Sequence, residues 1–330
     1  MTTSAKERTA AGDVPVWLDL QGGVPAAAQL RSLIAGNRIV GAGLGPDATV
    51  ATARRVCDTF RTAREEGRGG QGAVVLSPTV SPDTEAAELV RRAASLADRT
   101  DRPGTAVRLP SNDAGLTAMG VLLGRGLPVH LATCFSARRY EQAAAAYLAA
   151  LERARAEGHD LGGLASTVAF GLQPLDLRVD ALLDRAGSAE AKALRGTAAL
   201  LAARLAHRSA DRIFDAGSPA WRKLAAAGAR PLRLVWAELG GLAPGGGDPA
   251  RYTAELVTAD TAVAVRPGEL GSLAGLRPRR GRPCGAHEAA EHFDACLDWF
   301  GIGAQDVVRE LEGEPGTLAP DRAQVAGGVA

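Results

Sequence analysis

The chain has 330 residues, 46% of them apolar, and a formal net charge of +1. The apolar share is that of a protein with a packed core, and the near-neutral balance gives no electrostatic case for nucleic acid or an anionic membrane surface as partner. The four cysteines at 57, 134, 284 and 296 form no disulfide framework, and no signal-type segment or run of about 18 apolar residues occurs, so a cytoplasmic protein is expected.

Short apolar runs at 16–20, 38–42, 72–76, 105–109, 129–133, 167–172, 232–237 and 261–265 read as strands. Helical spacing lies between them, for example at 83–97, 137–157, 189–209 and 219–227, with Ser136 and Ser218 as N-cap candidates and Pro219 at a first helical position. Further helices are expected at 286–300 and 304–310. Eight such strands alternating with helices favour an α/β barrel or a doubly wound sheet, with strands buried on both faces and therefore apolar rather than alternating. The expected organisation is a flexible segment over 1–13, a domain over 14–312 and a loose tail over 313–330. The Gly/Pro stretch at 240–249 reads as a loop, not a domain boundary, and the Arg277-to-Arg282 cluster, interleaved with proline and glycine, reads as solvated.

In a barrel the chemistry sits where strands end on the C-terminal face. The polar residues on or just past the strand candidates are Asp19, Ser77, Thr79, Arg108, His130, Cys134, Gln173 and Glu238. Arg108 interrupts an apolar strand with a permanent cation, which cannot act as an amine nucleophile but can hold a carboxylate or stabilise an oxyanion. Its bland alternative is an arginine paired with a buried acid. His130 has the chemistry of a general acid or base, or is a hydrogen-bonded structural histidine. Asp19 and Glu238 need a cation or donors if they face the interior, and either could pair with Arg108. Cys284, His287, His292 and Cys296 offer thiols and imidazoles, but a spacing of five between the histidines puts them on different helix faces, so no metal site is expected. The Gly240–Gly247 loop lacks the context of a phosphate-binding motif.

Several ordered segments resemble transaldolase over about residues 14 to 312. They are Trp17-Leu18-Asp19, Val80-Ser81-Pro82, Asp101-Arg102-Pro103, and Phe135-Ser136 with Arg139-Tyr140 and the alanine-rich run to Leu148. The likeness continues through Ala193–Gly196, Ala203–Ala206, Ala226–Pro231, Leu234–Ala237, Tyr252–Val257 and Asp260-Thr261. The resemblance implies a single (β/α)8 TIM barrel with additional C-terminal helices. It also implies that the family's Schiff-base lysine is replaced by Arg108, while its Asn-bearing loop becomes Gly43-Leu44-Gly45-Pro46 and its water-positioning glutamate becomes Thr79. The strand asparagine and threonine correspond to His130 and Ala132. The phosphate-binding residues correspond to Ala169, Pro174, Glu238 and Leu242, and only Asp19 is retained. Of the 38 basic residues only Lys6, Lys192 and Lys223 are lysines, on the tail or on expected outer helices.

The resemblance therefore implies a barrel without transaldolase activity. The expectation is an enzyme repurposed for lysine-independent carbonyl chemistry (aldol-type condensation, cyclisation or dehydration) on a non-phosphorylated small molecule, with or without a carboxylate, in specialised metabolism. Asp19, Arg108 and His130 are the expected catalytic residues, with Thr79, Cys134, Gln173 and Glu238 binding substrate and no metal or cofactor. The competing reading is a binding or scaffold protein. A monomer or homodimer is expected.

Overall fold

The computed structural model describes residues 14–67, 69, 72–81, 83–240, 249–278 and 286–313. Eight parallel strands form a closed barrel: β1 (Val16–Leu20), β2 (Ile39–Leu44), β3 (Val74–Leu76), β4 (Thr105–Pro110), β5 (Val129–Cys134), β6 (Thr167–Gly171), β7 (Arg233–Ala237) and β8 (Ala262–Val265). Each pairs with the next in sequence, and β8 returns to β1 through Val16↔Val263 and Trp17↔Ala264. Parallel neighbours cannot be joined by a tight turn, so helices form the connections and cover the outer face. They are α1 (Ala27–Gly36), α2 (Val50–Glu65), α3 (Ala86–Thr100), α4 (Asp113–Gly124), α5 (Ala137–Ala156), α6 (Gln173–Ala186), α7 (Ala189–Ala193), α8 (Ala198–Ile213), α9 (Pro219–Ala226) and α10 (Pro249–Leu256). After β8 come α11 (Ala286–Trp299) and α12 (Ala304–Gly313). The expected (β/α)8 barrel with C-terminal helices is the observed fold. Closure of β8 onto β1 excludes the doubly wound sheet.

The core has two parts. The larger lies between strands and helices and holds Leu18, Leu76, Leu109, Leu131, Phe170 and Trp236 with the inner helix faces. The smaller plugs the barrel interior and contains Trp17, Val75, Ala106, Val235 and Ala262. The Trp17 indole fits there because β2 offers Gly41, where a Cβ would come within 2.2 Å of the ring.

Some boundaries differ from the sequence reading. The stretch 189–209 is two helices, because Gly196 between α7 and α8 adopts φ +67° and donates its N–H to Asp180 at 2.7 Å. Helix α3 starts at Ala86 rather than 83, since the Thr84 hydroxyl accepts the Ser81 N–H in a turn. Ser136 caps α5 by accepting the Arg139 N–H, whereas Ser218 stands before α9 without a side-chain cap bond. The last helix runs to Gly313. The segments at 1–13 and 314–330, most of the 240–249 loop, and Arg279, Arg280 and Arg282 lie outside the described residues.

Candidate active site at the barrel mouth

Strand register assembles the site. Arg108 on β4 is level with His130 on β5, and His130 is level with Thr167 on β6. Asp19 on β1 faces Gly43 on β2. Residues two apart on a strand share a face, so Arg108 projects inward one step above Ala106 of the interior cluster.

Two stacked rings and a guanidinium fill the centre. The Trp17 indole lies on the His130 imidazole, ring centroids 4.8 Å apart and 17° from parallel. His130 Nδ1 is 2.7 Å from the Thr167 hydroxyl. Above them the Arg108 guanidinium is buried, with 7% of the residue exposed. It fits because Gly43 has no side chain: a Cβ there would lie 3.1 Å from Arg108 Nη2 and 3.3 Å from Trp17 Nε1.

Arg108 is poorly satisfied for a buried cation. Its one hydrogen bond among the described residues runs from Nη1 to Gln21 Oε1, at 3.3 Å, and its buried Nε has no partner among them. Asp19 and Glu238 are near enough to influence it electrostatically, but neither forms an ion pair with it. Burial pulls the guanidinium below its ordinary range, and the two carboxylates, Asp19 first, partly offset this. It stays cationic at neutral pH. Burial, reinforced by the Arg108 charge, pushes His130 well below its ordinary range, so the imidazole is neutral.

Asp19 is half-buried, and its Oδ1 accepts both the backbone N–H and the side-chain amide of Gln21, each at 3.1 Å. Glu238 directly follows β7 in the left-handed region, φ +54°. Its carbonyl accepts the Gln173 N–H at 2.8 Å, which ties the β6 and β7 ends together, and its Oε2 lies 2.8 Å from where a Cβ at Gly171 would be. Non-glycine residues rarely adopt this conformation outside functional or tightly packed sites.

The expected site residues thus separate. Asp19, Arg108 and Glu238 converge on the mouth, Gln173 lies at its rim, and His130 forms the floor. Thr79 is exposed in the loop after β3, where its carbonyl accepts from Arg92. Cys134 does not line the mouth. A register shift on β5 between Leu131 and Cys134 turns it into the outer core, and burial raises its thiol far above the ordinary range. Ser77 spends its hydroxyl on the Leu44 carbonyl. Gln21 and Trp17 were absent from the sequence-derived set. The signal for Gln21 was its place two residues past Asp19, where a side-chain carboxylate commonly captures a following N–H. Cys284 lies outside the described residues. His292 and Cys296 approach to 3.7 Å on α11, and His287 pairs with Glu291. Among the described residues no three metal-ligating groups cluster, and no helix is long and apolar enough to cross a membrane.

The fold is a closed (β/α)8 barrel with polar groups gathered at its mouth, and comparison with known proteins gives the family. Residues 46–213 match the family model described as Transaldolase/Fructose-6-phosphate aldolase. Transaldolase 1 of Streptomyces avermitilis is 35% identical over 269 residues, covering 81% of this chain and 70% of its own. The transaldolase of Mycolicibacterium smegmatis is 33% identical over 287 residues, covering 84% and 76%, and that of Thermobifida fusca 35% over 265, covering 79% and 70%. The chain belongs to the transaldolase/fructose-6-phosphate aldolase family.

Proposed function

We propose that this barrel performs carbonyl chemistry without an imine, on a non-phosphorylated small molecule whose carbonyl oxygen sits on Arg108. The guanidinium polarises the carbonyl and holds the enolate that forms when a proton leaves the adjacent carbon. The Asp19 carboxylate is the group at the mouth suited to take that proton and return it in condensation, cyclisation or dehydration. The observation that carries this reading is the state of Arg108: a buried cation that has, among the described residues, one neutral hydrogen-bond partner and none at Nε. A buried donor left unmade costs about 1–3 kcal/mol, and a ligand oxygen would recover it.

The relatives' name brings transaldol transfer as the competing chemistry. That reaction, as the family resemblance implies it, needs an amine, which a guanidinium does not supply. Lys192 and Lys223 sit on α7 and α9, outside the barrel. Asp19 and Glu238 beside Arg108, with the nearby Arg266 held by Glu269, also leave the mouth unfavourable to a phosphate, so a neutral carbonyl compound fits it better than a carboxylate-bearing one. His130, neutral and stacked on Trp17, supports the floor rather than moving the proton. That same packing favours the second reading, a binding protein without catalysis.

The test has two arms. Borohydride treatment with a ketose phosphate should leave every lysine unmodified by mass spectrometry. A thermal-shift screen of non-phosphorylated carbonyl compounds should yield a stabilising ligand that Arg108→Ala no longer binds, and that Asp19→Asn binds but does not turn over. A trapped lysine adduct, or wild-type binding by Arg108→Ala, overturns the proposal. A ligand bound through Arg108 with no turnover by any assay supports the binding protein.

A further inference from the structure

Among the described residues, Gln21 is the one side chain hydrogen-bonded to both Arg108 and Asp19. Its Nε2 donates to Asp19 Oδ1 at 3.1 Å, and its Oε1 accepts from Arg108 Nη1 at 3.3 Å. The opposite amide orientation would set Nε2 against the guanidinium donors and Oε1 against the carboxylate, so the charges on either side fix the amide. Gln21 also donates its backbone N–H to the same Asp19 oxygen at 3.1 Å, which turns that carboxylate toward its own chain.

A guanidinium and a carboxylate this close, in a site of low polarity, would ordinarily meet in a direct, often bidentate pair. Here they do not. From this we infer that Gln21 is a spacer: its neutral amide satisfies one end of each charge and keeps Arg108 from closing onto Asp19, so that the guanidinium stays available to a ligand. The inference rests on the reading of Arg108 as the ligand-binding group. It makes Gln21 a positioning residue that acts through Arg108 and Asp19. It also accounts for a cation and an acid that coexist at the mouth without cancelling one another.

Removing the amide should let the charges collapse. In a crystal structure of Gln21→Ala, Arg108 and Asp19 should approach to an ion pair with N···O below about 4 Å. With dihydroxyacetone as a neutral ketone probe, calorimetry should show binding weakened roughly tenfold or more, about one decade in the dissociation constant. The double variant Gln21→Ala/Asp19→Asn lacks the Asp19 carboxylate that would close onto Arg108, leaves Glu238 as it is in both backgrounds, and should recover the affinity of Asp19→Asn alone. A merely structural role for Gln21 would not produce that rescue. Gln21→Glu keeps the side-chain shape, places a carboxylate directly on Arg108 and should also lose the probe, which guards against a folding artefact in the alanine variant. The spacer idea is sunk if Arg108 and Asp19 remain apart in Gln21→Ala, or if the double variant binds no better than the single one. If the wild type ignores every carbonyl probe while Gln21→Ala still forms the pair, the spacer stands and the functional reading falls.

Discussion

At the scale of single residues, burial decides what His130 can do. An unfolded chain takes up a proton on this imidazole as pH falls through about 6.5, whereas in the barrel burial and the Arg108 charge hold it neutral well below that. Below pH 6.5 the unfolded state therefore binds more protons than the fold, and stability falls as the medium becomes acid. His130→Gln removes this linkage. Relative to the variant, the wild type should lose roughly 1–2 kcal/mol more stability between pH 7 and pH 5 by chemical denaturation. Parallel pH curves for the two proteins would mean that His130 takes up its proton within the fold. The sequence had left this histidine open between proton carrier and structural group. What favours the second, the Trp17 ring over it and Thr167 beside it, comes from strands far apart in the chain. Arg108 was legible as a lone cation in an apolar strand, but that it forms no ion pair with Asp19 or Glu238 was not, since that depends on distances across the barrel. Cys134 was misplaced for a different reason: inward parity counted along β5 fails at a register shift.

Between elements, the join of β1 to β2 turns on two glycines. Gly41 makes room for the Trp17 indole, and Gly43 for the same ring's Nε1 edge and the Arg108 guanidinium. A methyl at 41 would meet ring carbons at 2.2 to 3.0 Å, a gap that neither β-strand backbone nor a stacked indole can absorb. Gly41→Ala should therefore destabilise by about 1–3 kcal/mol, read as a fall in midpoint in urea. Trp17→Leu in the same chain should return part of that loss by vacating the space. Equal effects of Gly41→Ala with and without Trp17 would place the damage in the backbone instead. Strand positions were readable to within about two residues because each is a short apolar run bounded by polar or glycine-rich sequence. The split of 189–209 was not readable, because alanine-rich periodicity runs unbroken through it. The break lies in the left-handed Gly196, whose need for that conformation is set by Asp180 on α6.

On the scale of the whole molecule, alternating strands and helices allowed either a barrel or an open sheet, and only the family resemblance chose between them. The reason is physical: closure depends on the pairing of the first and last strands, which no local pattern encodes. What the chain does after closing was less legible still. Helix α12 packs on α6 and α11, and Glu312 near its end crosses to the start of α5. Its Oε1 accepts the Phe135 N–H at 3.1 Å and the Ser136 hydroxyl at 2.8 Å, while Oε2 stands 3.5 Å from Arg139 Nε. The side chain is only 10% exposed. A carboxylate placed there meets the positive end of a 20-residue helix as well as two donors. Residue 312 thus pins the C-terminal end of the described chain to the β5 rim of the mouth, some 180 positions away in sequence. Glu312→Ala leaves the Phe135 N–H and the Ser136 hydroxyl short of a partner, at a cost of about 1–3 kcal/mol. Because α12 is short and its remaining hold is the exposed Arg178–Glu310 pair and a few apolar contacts such as Val307, that cost should fall first on local opening rather than on the barrel. Hydrogen exchange should speed up at α12 and the α5 N-terminus and stay unchanged at β4 and β7. Glu312→Gln, which keeps the acceptor oxygen but not the charge, should lie between. Uniform acceleration across the barrel strands would show that α12 is part of the global folding unit rather than a separately opening clasp on the mouth.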